Sequence, residues 1–273
     1  MTSDRWTRAV RQRLGLGRFL PLGHRRDGTW ITEEAAGTVL RRAAAAVPGV
    51  RLGALRLSLA DPERTYEPAV PPPPGALPPG PLRVTGEFAA SADPSARGGE
   101  PLPTAAARLR SALATAATER LGLMVTEVDL RVTELLDIDT PPTPADRGTS
   151  GPVDGPGPAD ESRPVGESDP VGGSRPLDGP GPVGESAEAE EARVVAAVLA
   201  VPGVDGLTGA LGRPVHFGEV HGTDPALPRR HVRVELAVSA AERTADVARA
   251  VRARVAEALP DEPSVAVLVT AVR

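Results

Sequence analysis

The tetrapeptide Val-Pro-Gly-Val occurs twice, at 47–50 and at 201–204, each time at the end of an alanine-rich run. Proline biases the residue before it out of the α region, so each run reads as a helix that stops there. The glycine that follows permits the reversal that sends the chain into a strand. After each hinge the same order is expected: two alternating strands, a long helix and a last β-rich strand. The sequence therefore predicts an α+β protein built from two repeated small modules of the form helix–strand–strand–helix–strand.

In the first copy, Thr32 is the expected N-cap of the opening helix, with Glu33 and Glu34 in the first turn where they suit the helix dipole. Strands are expected at 51–60, with Leu55, Leu57 and Leu59 on one face, and at 82–90, with Leu82, Val84 and Phe88. A helix from Thr104 to Leu121 carries Leu109, Leu113, Ala117 and Leu121 at i+4 spacing, and Gly122 ends it. The closing strand, 123–135, alternates Val128, Leu130 and Val132 against Glu127, Asp129 and Arg131. Between the two strands lies a loop, 61–81, with prolines at 71–74. It reads as a stiff connection, or alternatively as a polyproline II segment that docks on an aromatic groove.

In the second copy, strands are expected at 213–221 and 230–239, and a helix at 241–259 with Val247, Val251, Val255 and Leu259 as its stripe. The last strand, 264–272, is apolar on both faces, which predicts a central strand or an interface.

Charge divides the chain. Residues 1–26 hold seven arginines and one acid, and residues 139–191 hold twelve acids and three arginines. The expected organisation is a basic N-terminal helix (1–26), a first module (27–138), a disordered acidic Pro/Gly-rich linker (139–190) and a second module (191–273). The whole chain carries a net charge of −5 without a basic folded domain, which argues against nucleic acid as a partner. No apolar run approaches the roughly 20 residues of a membrane span, and arginines interrupt the N-terminus where a signal peptide needs an apolar core. The protein is expected in the cytoplasm. With no cysteine there is no disulfide framework and no thiolate metal site.

In the N-terminal segment Trp6, Val10 and Leu14 fall at i, i+4 and i+8, and Phe19 closes it. That helix either docks its aromatics on the first module or lies on anionic lipid or an acidic partner.

The hinge, the helix 246–259 (DVARAVRARVAEAL) and the strand 123–132 (LMVTEVDLRV) together resemble the bacterial alkaline shock protein family. The resemblance covers 30–60 and 81–135 in the first copy and 187–273 in the second. It implies a non-catalytic cytoplasmic module, often near the inner face of the membrane and linked to cell-envelope stress. It supplies no catalytic residues and no cofactor. The partner expected is a further protein, or the chain itself, through pairing of its modules or self-association by way of the strands.

The chemistry-bearing candidates are few. Arg229, Arg230, His231 and Arg233 form a basic strand edge that suits an anion or an acidic partner, and so a small-molecule or anion-binding regulatory domain is the alternative reading. His216, Glu219 and His221 lie close in sequence. However, an odd separation places His216 and Glu219 on opposite faces of a strand, and no metal site is expected. Nucleophile elbows, phosphate-binding loops and metalloprotease helices are absent, so the protein is not expected to be an enzyme.

Overall fold

The computed structural model describes residues 15–91, 101–136, 183–220 and 229–273. Trp6, Val10 and Leu14, and the linker expectation over 139–182, lie outside the described residues.

Helix α1 (Glu33–Ala45) starts where the Thr32 hydroxyl accepts from the Ala35 N–H at 3.2 Å. It ends before Gly49, whose φ of 70° turns the chain into β3 (Val50–Leu59). β3 runs antiparallel to β4 (Leu82–Ser91), and β4 lies parallel to β5 (Val125–Leu136). A parallel pair needs a long crossover. Here it contains α2 (Leu102–Thr115), extended by a π-helical turn, Ala116–Leu121, and stopped by Gly122 at φ 85°. The result is a three-stranded mixed sheet, β3-β4-β5.

In the second half the elements are α3 (Val183–Leu199), β6 (Val204–Leu207), β7 (Val215–Val220), β8 (Arg229–Val238), α4 (Thr244–Ala258) and β9 (Ser264–Val272). α3 begins inside the segment expected as linker, because the Ala- and Glu-rich stretch before Arg193 favours helix. The strand expected at 213–221 is β7, and a further short strand, β6, precedes it; both run antiparallel to β8. β8 is parallel to β9. The strand order and pairing senses therefore match those of β3-β4-β5.

The two halves also share detail. The carbonyl of Gly49 accepts from Ser91 at 3.0 Å, and that of Gly203 from Ser239 at 2.8 Å. Apart from a first slip after Leu82↔Val125 in the β4–β5 ladder, the parallel ladders slip at two matching points, after Phe88↔Val132 and after Leu236↔Val269. At both matching slips a threonine hydroxyl reaches back across the ladder. Thr133 donates to the Phe88 carbonyl at 3.5 Å and Thr270 to the Leu236 carbonyl at 3.4 Å.

The N-terminal segment differs from expectation. Phe19 is not on a helix: it lies in β1 (Phe19–Leu22), fully buried, in a hairpin with β2 (Thr29–Thr32). Gly15 and Gly17, just before it, both stand at φ 67°, outside the helical region. The boundary expected after residue 26 falls inside this hairpin. β2 pairs in parallel with β9, so the larger sheet is six-stranded, β1-β2-β9-β8-β6 with β7 also on β8. β9 is thus central, which accounts for its two apolar faces.

One face of the larger sheet shares a continuous core with the smaller one. Leu57, Phe88, Leu109 and Leu121 belong to the same buried cluster as Val198, Val234, Val251 and Val267. α1 packs against both β3 and β9. On the opposite face Phe19, Trp30, Ala266 and Leu268 are covered by Val70 of the Pro-rich segment. That segment is anchored where the Leu77 N–H donates to the Phe19 carbonyl at 2.8 Å. The loop expected as a stiff connection is thus a cover on the sheet's second face.

Candidate functional site

β8 carries most of the candidate residues, and its alternation divides them. Val232, Val234, Leu236 and Val238 face the shared core, while His231, Arg233 and Glu235 face the other way. Alternation puts Glu235 on the face away from the shared core, yet it is fully buried. The turn between β6 and β7 folds over it, and the Leu211 N–H donates to its Oε2 at 2.9 Å. Arg233 Nη2 stands 3.4 Å from Oε1. Burial raises the Glu235 pKa, opposed by the backbone N–H groups of Leu211 and Ala210 and by Arg233. Arg233 Nε and Glu235 Oε1 make no hydrogen bond among the described residues.

His231 Nδ1 is 2.9 Å from the Ser264 hydroxyl, and His216 on β7 lies opposite Arg233. Burial lowers the pKa of both imidazoles. The Arg233 charge lowers both further, with His216 acting on His231 and Arg213 on His216, while a hydrogen bond to the Ser264 main chain opposes the shift at His231. The row is therefore two neutral-leaning imidazoles beside an internally paired guanidinium.

Arg230 points to the other face. It pairs with Glu190 of α3, reaches Asp261 at 3.3 Å and stands 5.0 Å from the Phe217 ring centroid. The hydrogen bond from Arg230 holds Glu190 below the usual carboxylate range, and Glu190 raises Arg230 in turn. This side chain fastens α3 to β8. Arg229 is exposed at the start of β8, opposite Val220. The four residues of the expected basic edge are thus not one cluster. Glu190, distant in sequence and acidic, carried no local signal of its pairing.

His221 lies outside the described residues. Among those described, no group of three or more histidine or acidic side chains is placed to hold a metal. No described helix is long and apolar enough to cross a membrane.

A cleft of about 620 Å³ opens between α1, β3 and the Pro-rich segment, lined by Gly15, Gly17, Arg41, Leu55, Gly75 and Leu77. Glu33 organises its wall. Its Oε2 accepts from the Arg18 N–H at 3.3 Å and its Oε1 from the Leu57 N–H at 3.1 Å. The first N–H groups of α1 are also used, by the carbonyls of Arg18 at 2.7 Å and Leu16 at 3.3 Å. The helix start is therefore satisfied internally, and Glu33 closes part of the β3 edge.

β5 is different. Among the described residues it pairs only with β4. Val132 is 39% exposed and Leu135 53%. On its solvent face Arg83 Nε donates to Glu127 at 2.6 Å and lies 3.5 Å from Asp129. The Val128 carbonyl accepts from Arg110 Nε at 3.1 Å. A carbonyl free to do so belongs to the outer edge, and by alternation the backbone groups of Leu130 and Val132 lie there too.

Comparison with models of protein families, with curated proteins and with solved structures finds no match.

Proposed function

We propose that the chain is a non-catalytic interaction protein, a cytoplasmic scaffold of the envelope-stress type that the alkaline shock resemblance implies. We read it as two diverged copies of one module. The duplication is supported by the common strand order, the twin hinge bonds to Ser91 and Ser239, and the matching ladder slips at Thr133 and Thr270. A non-enzymatic role is supported by the use made of the charges on β8. Arg230 is held by Glu190 and Asp261, and Glu235 is sealed beneath the β6–β7 turn with Arg233 beside it.

The observation that carries the interaction reading is the β5 edge. It is twelve residues long, unpaired on its outer side among the described residues, and bordered by the exposed Val132 and Leu135. Adding a strand to a free sheet edge is a general mode of protein recognition. The test combines two measurements on the full chain. Phosphates, nucleotides and divalent metals are expected to leave its melting temperature unchanged. Protein retained from native lysate is expected to be lost on Leu130→Pro, which removes one outward N–H from an edge strand. A ligand-induced rise in melting temperature that disappears on Arg229→Ala or Arg233→Ala would overturn the scaffold reading.

A further inference from the structure

We propose that β5 pairs antiparallel with β5 of a second copy of this chain, across a twofold axis at Leu130, joining two three-stranded sheets into one. This rests on reading the chain as an interaction protein, and it names the partner of the β5 edge.

The edge has a covered counterpart. Counted from the shared ladder slip, Leu130, Arg131 and Val132 occupy the positions of Val267, Leu268 and Val269 in β9. There β2 pairs with the edge, as Thr29↔Val267, Trp30↔Leu268 and Ile31↔Val269. β5 has the same position in its sheet without that neighbour among the described residues.

The sequence of the edge fits itself. Val128-Asp129-Leu130-Arg131-Val132 reads apolar, acid, apolar, base, apolar, which is self-complementary when run against its own reverse. With the axis at Leu130, each Asp129 faces Arg131 of the other copy, each Val128 faces Val132, and Leu130 faces Leu130. Opposed residues share a face, and opposite charges directly across a ladder stabilise it. Moving the axis one residue toward Asp129 sets Asp129 against Asp129, and moving it toward Arg131 sets Arg131 against Arg131. Half-step shifts place a core-face residue opposite a solvent-face one. One register therefore stands out.

The charges are accessible. Asp129 is 63% exposed, and its neighbour Arg83 lies nearer to Glu127. Arg131 makes no ion pair among the described residues, and it is exposed. Pairing also covers Val132, an exposed apolar side chain at this edge. Arg110 guards the edge in the single chain by holding the Val128 carbonyl. In the pair that carbonyl passes to the Val132 N–H of the other copy, and Arg110 turns to solvent. The contact is isologous and closes on itself. The opposite edge of the sheet does not continue it, because the Glu33 carboxylate holds the Leu57 N–H of β3.

Sedimentation equilibrium of the full chain tests this, with circular dichroism and melting curves confirming that each variant is folded. The wild type is expected to show a concentration-dependent monomer–dimer equilibrium. Asp129→Arg creates two like-charge pairs and is expected to weaken the dimer at least about tenfold. The double variant Asp129→Arg with Arg131→Asp restores the pairs and is expected to recover the dimer. A wild type that stays monomeric at every concentration overturns the proposal, as does a dimer that Asp129→Arg leaves unchanged or a folded double variant that fails to recover. A monomeric chain that still retains a protein partner from lysate loses the β5 pairing while the interaction reading stands.

Discussion

The Thr270 hydroxyl donates to the Leu236 carbonyl at 3.4 Å, spanning the slip in the β8–β9 ladder, and Thr133 does the same to Phe88 in the other half at 3.5 Å. A slip leaves backbone groups without ladder partners, and a threonine at that point supplies a local substitute. The same device stands at the matching place in both sheets.

The two threonines are not equally placed. Thr270 also meets the Thr208 hydroxyl at 2.7 Å and is partly buried, while Thr133 is exposed. Thr270→Val is expected to cost about 1 kcal/mol in urea unfolding, and Thr133→Val roughly half as much or less. Equal losses would mean that the Thr208 contact contributes nothing.

Two glycines hold tight approaches. At Gly122, φ is 85° and an added Cβ collides with the Cβ of Ala245 on α4, the meeting point of the two halves. At Gly203, φ is 86° and a Cβ would lie 2.8 Å from Val247 Cγ2. Alanine at either position is expected to lower stability by about 1–3 kcal/mol through backbone strain and overpacking. Gly206 has nothing within 4 Å of where a Cβ would stand and no positive φ, so Gly206→Ala serves as the control, within about 0.5 kcal/mol of wild type.

Acid should find the histidine row. His216 and His231 have folded pKa values below 6.5, so the unfolded chain binds protons first as pH falls. Their contribution is present above pH 6.5 and is lost as pH falls through the lowered folded values. Glu235 behaves oppositely. Its raised pKa gives a contribution that is full below 4.5 and is lost as pH rises through the folded value. Chemical denaturation of His231→Gln from pH 7.5 downward is expected to show a shallower decline below about pH 6.5 than the wild type. An unchanged slope would mean that His231 does not contribute to the acid sensitivity.

Arg230 should matter for packing. Arg230→Ala removes its pairs to Glu190 and Asp261 and its contact with the Phe217 ring, and is expected to cost about 2 kcal/mol. Amide exchange in α3 is expected to accelerate more than in α4. Equal acceleration in both helices would contradict the role of Arg230 as the fastener of α3.

Much of this fold is legible locally. The hinges, the helix stripes and the strands at 82–91, 125–136 and 264–272 follow from proline, glycine and side-chain period, all short-range signals. The misses are long-range. Phe19–Leu22 becomes a strand because β2 docks on β9, more than 200 residues away in the chain. Glu235 looks like any outward strand residue until the β6–β7 turn covers it. The basic run 229–233 reads as one patch, but its alternating side chains serve two faces, and the carboxylate that takes Arg230 lies on a distant helix. The edge of β5 is partly legible: its alternation shows in the sequence, whereas its lack of an outer neighbour emerges only from the sheet order.

The two halves of the chain form one body around a single core. Cleaving the full chain at a protease site placed within residues 139–182, followed by size-exclusion chromatography under native conditions, tests it most directly. The two fragments are expected to elute together, held by the shared core, the β2–β9 pairing and the Gly122–Ala245 approach. Fragments that separate and elute as independent folded monomers would contradict it.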